Sequence, residues 1–401
     1  MSHDIHDHHT PTPTTDRSGL SDAHAEVIRA TLPLVGSRIN DITPVFYKKM
    51  FTAHPELIAD LFNRGNQQHG DQAKALAASI AVFASVLVDP DKPHPDEMLA
   101  RIGHKHVSLG ITKDQYQIVH DHLFAAIAEV LGSVVTPEVA EAWDAVYWMM
   151  ADTLVRFEKE LYTASGVAAG DVFRDVTVAD KKPLSDTVTE FTLVGEGLVP
   201  PRPGQYTSLG VVLPDGARQL RQYSLLDGAY EQTTSCYRVA VERSGEVSEF
   251  LHNHVAVGDT IQATLAAGDL ILTDGDNPVV LLSQGIGSTP MVGMLSYLAA
   301  QRSQRQVIVV HADASEAECA QKSEMERLVE QLPNARLELY FRDQGERVDA
   351  PAIIPAGASV YLCGGVRFLQ SVRDQIDAIP ADQAPADVHF ELFSPNDWLI
   401  S

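Results

Sequence analysis

Cysteine is scarce in this chain: Cys236, Cys319 and Cys363 are the only three in 401 residues. They lie far apart, form no CxxC pair and leave an odd count. That supports neither a disulfide framework nor an iron–sulfur centre, and a reducing cytoplasm is the expected compartment. Basic residues are also in short supply, with 30 Lys and Arg against 54 Asp and Glu and a formal charge of -24. Such a surface repels a phosphate backbone, and no basic stripe with interleaved aromatics interrupts it, which argues against nucleic acid as a partner. A local Arg or Lys pocket can still hold a dinucleotide against that background. Long apolar runs are missing too. The longest, near residues 278–282 and 306–310, are strand-length and fall far short of the roughly 20 residues of a membrane span. The first 19 residues lack the basic start and apolar core of a signal peptide. They read as a disordered polar tail in which His3, His6, His8 and His9 can catch metal weakly.

What is present is enough chain for two or three domains, with 45% apolar and 21% charged residues as in globular proteins. Over residues 21–165 apolar positions recur at three and four, which predicts helices, with breaks at 41–44, 63–70, 89–95, 110–113 and 132–137. Ser21 and Thr136 fit as N-caps, the latter followed by Pro137 at the first helical position. Past Gly170 the period becomes alternating. Strands are expected at 173–178, 187–193, 206–213, 219–225, 237–241 and 260–265, with one short helix at 247–253; this spacing predicts an antiparallel barrel. From about Pro278 fully apolar strands alternate with helices, the pattern of a parallel sheet covered on both faces. The expected organisation is a tail (1–19), an all-α domain (20–166), an antiparallel β-barrel (167–275) and an α/β parallel-sheet domain (276–401).

Two glycine turns follow strands in the last domain. Gly285, Ile286, Gly287, Ser288, Thr289 and Pro290 lead from a strand into a helix, where close backbone approach and exposed amides suit a pyrophosphate. This is not the six-residue dinucleotide fingerprint, because Pro290 stands where its last glycine would be, and alone it is as readily a tight packing turn. Cys363 and Gly364 form the second turn; the sulfur either faces a nicotinamide or is a small buried hydrophobe. In the barrel, Arg221 and Tyr223 share one face of a strand, and Gln222 and Ser224 the other. Arg221 suits a phosphate, Tyr223 a flavin ring and Ser224 a hydrogen bond to flavin N5, although each also has an ordinary surface role. Gly245, Glu246, Val247 and Ser248 open a helix whose amides suit a pyrophosphate.

Arg202-Pro-Gly-Gln-Tyr206, Arg221-Gln-Tyr-Ser224, Gly245-Glu-Val-Ser248, Ala267-Gly-Asp269, Gly285-Ile-Gly-Ser-Thr-Pro290 and Tyr361-Leu-Cys-Gly364 together resemble the ferredoxin-NADP reductase superfamily in order and spacing. The resemblance implies an FAD barrel and an NAD(P)H domain, with hydride passing to flavin N5 and electrons released singly. The helical region resembles the globin domain of the flavohaemoglobins through Val45-Phe-Tyr-Lys-Lys-Met-Phe51, Leu61-Phe-Asn63, Gly70-Asp-Gln72, Ala75-Leu76, His104-Lys-His106, Gln115-Tyr116 and Arg156-Phe-Glu-Lys-Glu-Leu-Tyr162. Taken alone, His104 and His106 are two apart and point to different helix faces, so at most one is an axial ligand.

The resemblance implies that His106 is the proximal ligand of haem b, with Tyr116 and Glu158 as its hydrogen-bonded partners. It places Tyr47, Gln72 and Leu76 on the distal side and Phe62 against the haem; Gln72 and Leu76, four apart, share a helix face. Lys105 is either a propionate contact or solvated. Tyr206 belongs to the flavin motif, and Glu391 and Phe393 to a closing segment near the flavin. The implied activity is nitric oxide dioxygenation: electrons from NADH or NADPH reach the haem iron through FAD, and nitric oxide with dioxygen becomes nitrate. A hydroperoxide or dioxygen reductase, with a lipid or hydroperoxide in the haem pocket, is the alternative enzyme, and a haem gas sensor or oxygen-binding protein the non-enzyme alternative. A monomer is expected. Gln284, Gly365 and Ser394 depart from the family pattern, and neither the glycine turn nor Asp313 distinguishes NADH from NADPH.

Overall fold

A computed structural model of the chain describes residues 11–13, 19–60, 62, 71–227 and 236–393. Most of the polar tail, the expected break at 63–70, and Ser394 lie outside the described residues. The rest divides after Val172 into two compact units.

The first unit is helical: α1 (Asp22–Ser37), α2 (Ile39–Ala53), α3 (Pro55–Asp60), α4 (Asp71–Val88), α5 (Asp96–Val107), α6 (Lys113–Leu131) and α7 (Pro137–Ala164). Local chemistry sets several of these ends. Ser21 Oγ accepts from the His24 amide, and Thr136 accepts from that of Val139, with Pro137 at the first position of α7. Thr112 and Gln115 form a reciprocal capping box at the start of α6. The break expected at 41–44 is corrected. The chain turns at Arg38, and α2 runs through Pro44, which stands inside the helix. The helix survives because Pro44 forfeits a single bond near its start, to the carbonyl of Asn40, and Asn40 is exposed to water.

In the second unit β1 (Phe173–Pro183), β2 (Val188–Val194), β3 (Tyr206–Val212), β4 (Arg218–Ser224), β5 (Cys236–Glu242) and β6 (Thr260–Thr264) pair antiparallel in the order β4-β3-β6-β1-β2-β5. A bridge between Leu225 and Val239 joins the two outer strands and closes the barrel. Its interior is filled by alternate strand residues such as Val176, Phe191, Leu209 and Val239. Helix α8 (Glu246–His254) follows β5. The parallel sheet has the order β11-β10-β7-β8-β9, from β7 (Val279–Gln284), β8 (Val307–Asp313), β9 (Ala335–Phe341), β10 (Ser359–Cys363) and β11 (Asp387–Glu391).

Both faces of that sheet are covered, which explains the unbroken apolar strands. Val279 and Leu281 pack with Met291 and Leu295 of α9 (Ser288–Ala300) and Met325 and Leu328 of α10 (Lys322–Val329). Val280 and Leu282 face Ile353 of α11 (Ala350–Ile353) and Leu369 and Val372 of α12 (Val366–Asp377). Helix α10 starts only at Lys322, so Cys319 lies in the connection before it. Barrel and sheet form one compact unit. A Cβ on Gly293 of α9 would lie 2.3 Å from the Leu225 carbonyl oxygen, so only glycine allows this approach of helix to barrel.

A second close approach sits in the helical unit, where a Cβ on Gly103 of α5 would lie 2.4 Å from Phe157 Cδ1 of α7. Gly103→Ala should therefore separate these helices and destabilise the unit by about 1–3 kcal/mol. A urea midpoint unchanged from the parent would show that Phe157 simply moves aside.

Candidate functional site

His106 occupies the last turn of α5, Tyr116 the first turn of α6 and Glu158 the C-terminal third of α7. The three helices bring together residues 10 and 42 positions apart. His106 Nδ1 lies 2.7 Å from Glu158 Oε1 and 2.9 Å from the Tyr116 hydroxyl, and that hydroxyl donates to the same carboxylate oxygen. Glu158 is 3% exposed. A carboxylate so deeply buried is tolerable only because two donors converge on it. With Nδ1 committed as donor, Nε2 is the ring nitrogen left with a lone pair, as a metal ligand requires. His106 is only partly buried, so this nitrogen is reachable. His104, on another face of α5, is buried edge-on against the Phe157 ring.

Two further tyrosines, which the sequence did not single out, brace this arrangement. Tyr147 donates to the carbonyl of Tyr116 at 2.7 Å, and Tyr162 donates to that of Ile111 at 2.8 Å, pinning the α5–α6 turn. Their spacing along α7 is merely that of its buried face, so no sequence signal separated them from core residues. On α2, Tyr47 is buried between the rings of Phe46 and Phe51. Helix α2 packs on α4, which carries the half-buried Leu76. The side chain of Gln72 lies outside the described residues. Phe62 is half-buried and Lys105 is exposed.

In the barrel, Ser224 ends β4 opposite Tyr206 of β3. Its Oγ is buried with no hydrogen-bond partner among the described residues, a cost of about 1–3 kcal/mol unless a ligand supplies one. Gln222 donates to Ser208 Oγ, and burial pushes the Tyr223 phenol far above its ordinary range. Arg221 reaches Glu246 in the first turn of α8 at 3.2 Å, offsetting a carboxylate that would otherwise repel a phosphate there. Ser248 closes that turn by accepting from the amides of Ser244 and Gly245, and Val247 is buried beneath it. At the far end of α8, Lys181 donates to the carbonyls of Leu251, His252 and Val255. This lysine cap was not legible in the sequence.

The two glycine turns meet. A Cβ on Gly287 would lie 2.5 Å from the Cys363 carbonyl oxygen, and one on Gly364 would lie 3.0 Å from Gln284 Cβ. These contacts bridge the carboxyl ends of β7 and β10, where strand order reverses and α/β sheets bind ligands. Gly285 takes φ +55°, which favours glycine. Ser288, Thr289 and Pro290 open α9 beside this crevice and are buried. The Cys363 thiol is fully buried in the core; burial, then Glu391, pushes it well above its ordinary value. Glu391 ends β11 beside β10, and Phe393 beyond it is half exposed.

A helical unit with a buried Glu158–His106–Tyr116 arrangement, followed in the chain by an antiparallel barrel and a parallel sheet with glycine turns at its switch point, defines a class: electron-transferring oxidoreductases with a globin domain. The globin family matches residues 45–154, and the oxidoreductase NAD-binding domain family matches residues 281–374. A flavohemoprotein of Deinococcus radiodurans is 38% identical, the match covering 94% of this chain and 98% of that one. The chain belongs to the flavohemoprotein family. The crystal structure of a flavohemoglobin from Malassezia yamatoensis, with bound FAD and heme, is 34% identical with a TM-score of 0.85, over 94% of this chain and 100% of that one. The flavohem-like FAD/NAD-binding domain of nitric oxide dioxygenase from Vibrio cholerae is 32% identical with a TM-score of 0.50, over 55% of this chain and 99% of that one.

The proximal arrangement carries a pH dependence. Burial first and then the Glu158 charge push the Tyr116 phenol far above its ordinary value. Burial does the same for Tyr147 and Tyr162, with smaller contributions from Asp121 and Glu158 respectively. An unfolded tyrosine ionises near pH 10, whereas these three keep their protons while folded. Their contribution to stability is thus full below about pH 10. Above it stability falls, by up to about 1.4 kcal/mol per pH unit for each phenol. Urea midpoints of the helical unit should drop steeply between about pH 9 and about pH 11, and a flat profile would show that the phenols ionise freely in the folded state.

Proposed function

We propose that this protein is a nitric oxide dioxygenase that draws electrons from NADH or NADPH through FAD to a globin haem b and converts nitric oxide and dioxygen to nitrate. The observation that carries this reading is the convergence of Tyr116 and His106 on the buried Glu158. A carboxylate that accepts from Nδ1 makes Nε2 a stronger electron donor than a backbone carbonyl would, which suits turnover of bound ligand more than its storage. The buried, unpartnered Ser224 oxygen and the abutting glycine turns supply matching cradles for the flavin and the nucleotide. The domains of this enzyme would be residues 20–166, 167–275 and 276–401.

When bound, the haem supplies a redox-active iron, and FAD converts a two-electron hydride donor into single electrons, one for each nitrate formed. His106 would hold the iron through Nε2, with Phe62 against the haem and Lys105 by a propionate. Tyr47, Gln72 and Leu76 would line the haem site: the Tyr47 hydroxyl would donate a hydrogen bond to a bound ligand, and Leu76 would limit the space for it. Ser224 would donate at flavin N5, Tyr223 and Tyr206 would pack by the ring, and Arg221, Gln222 and residues 245–248 would hold the rest of the FAD. Residues 285–290 and Gly364 would hold the nicotinamide nucleotide, Cys363 contributing backbone since its thiol packs in the core, and Glu391 and Phe393 would border the flavin. The enzyme is read as a cytoplasmic monomer, with three free thiols suited to a reducing compartment.

Anaerobic addition of NADH or NADPH to protein carrying both groups should reduce the flavin and then the haem, and nitrate should appear as nitric oxide is consumed in air. Replacing Ser224 by Ala removes a bond of about 1.5–3 kcal/mol and should slow flavin reduction roughly 10- to 100-fold, leaving the haem bands unchanged. His106→Ala should lose the haem while the flavin still reduces. The dioxygenase reading fails if hydroperoxide-dependent NADH oxidation outpaces nitrate formation by orders of magnitude at low nitric oxide; a lipid hydroperoxide reductase would then be the better assignment.

A further inference from the structure

A cluster of different chemistry lies in the nucleotide-binding sheet. His311, Asp313 and Cys319 offer three ligand atoms that all lie within 4.8 Å of one another. His311 and Asp313 come from the carboxyl end of β8, and Cys319 from the connection to α10. The imidazole and thiol are 1% and 6% exposed, and the carboxylate, at 13%, opens the cluster toward solvent. No role falls on this trio in the electron route described above.

The imidazole is oriented from behind. Its Nδ1 lies 2.9 Å from Ser283 Oγ on the neighbouring strand β7, and that hydroxyl directs its own proton toward the Val310 carbonyl at 3.4 Å. Ser283 then accepts from Nδ1–H, which leaves the lone pair on Nε2. This nitrogen faces Asp313 Oδ2 at 3.3 Å. A proton can fill that gap as a hydrogen bond, and a divalent cation about 2.0–2.2 Å from each atom spans the same separation, with the nearby sulfur as its third ligand. Metal-binding histidines commonly donate their far ring N–H to an oxygen acceptor, and Ser283 Oγ takes that place here.

The surroundings are acidic. Glu242 of β5 has its carboxyl raised by burial first and then by Asp313 and Glu318, and burial followed by Asp313 pushes the Cys319 thiol up to about 12. Lys322, the nearby cation, is engaged by Glu316 and Glu326.

We propose that His311 Nε2, the Asp313 carboxylate and Cys319 Sγ bind a borderline-soft divalent cation of the zinc class, with water in the fourth position. On binding, the Cys319 thiol releases its proton to solvent and the sulfur bonds to the metal as thiolate, so one proton leaves for each ion bound. The site acts on the glycine turn next to it. Gln321, two residues past Cys319, accepts from Ser288 Oγ at 2.6 Å, and Ser288 directly follows Gly287. A metal at Cys319 fixes the loop that this bond tethers, and so stiffens the start of α9.

The test uses the full-length protein with haem and FAD in place, loaded with one equivalent of zinc. X-ray absorption at the zinc edge should show one sulfur at about 2.3 Å beside nitrogen and oxygen at about 2.0–2.2 Å. His3, His6, His8 and His9 would give nitrogen alone, so sulfur identifies the site. Cys319→Ala should remove the sulfur and weaken zinc retention roughly tenfold or more against a chromogenic chelator. Asp313→Asn, which keeps the side-chain shape, should weaken retention comparably, and zinc should raise the melting temperature of the parent but not of either variant. A shell of nitrogen and oxygen only, or a sulfur that survives Cys319→Ala, would overturn the proposal. So would zinc that leaves the parent's melting temperature unmoved.

Discussion

A single buried carboxylate organises the helical unit. Glu158 sits in the core of α7, where an unsatisfied charge would cost several kcal/mol, so the fold must deliver donors to it. The donors are the Tyr116 hydroxyl and His106 Nδ1, from two other helices. Their delivery depends on further contacts: Gly103 lets α5 approach α7, Tyr162 holds the turn at Ile111, and Tyr147 holds the start of α6. The outcome is a histidine whose ring is fixed, whose tautomer is set, and whose Nε2 is left for a metal. Oriented ligands of this kind bind metal without first losing rotational freedom, and their electron donation is set in advance.

Close backbone approach does the equivalent work in the second unit. Gly287 and Gly364 bring two strand ends within contact of each other, and Gly293 seats α9 on the barrel. The crevice and the barrel are therefore fixed relative to one another within one compact unit. Ser224 Oγ is among the few buried side-chain atoms that have no hydrogen-bond partner among the described residues. Buried polar groups normally pair, so an oxygen left over at the end of the strand that also carries Tyr223 is a candidate ligand contact. The charge balance at α8 follows the same logic: Arg221 offsets Glu246 at the helix N-terminus, and Lys181 takes up the carbonyls at its other end.

Element types were legible in the chain because each has its own periodicity. Alternation announced the barrel, apolar runs announced the two-sided sheet, and the caps at Ser21 and Thr136 marked helix starts. Boundaries were less legible where propensity met packing. Pro44 reads as a helix breaker, yet it lies inside α2, because one lost bond to an exposed carbonyl is outweighed by the burial of Phe46, Tyr47 and Met50. Likewise Cys319 falls in a turn before α10, so a residue that reads as one more scattered cysteine stands beside His311 and Asp313.

The sequence by itself determined the order of helical, barrel and α/β segments and which residues are candidates to carry chemistry, since periodicity and motif spacing are local properties of the chain. Tertiary structure alone decided which of those residues meet. His106 and Glu158 are 52 positions apart, and the meeting of Ser283 with His311 depends on which strands pair. Only packed helices and a specific sheet register bring such groups within bonding distance. Burial then sets their strength, because charges and lone pairs enclosed by protein must find partners that water would otherwise provide.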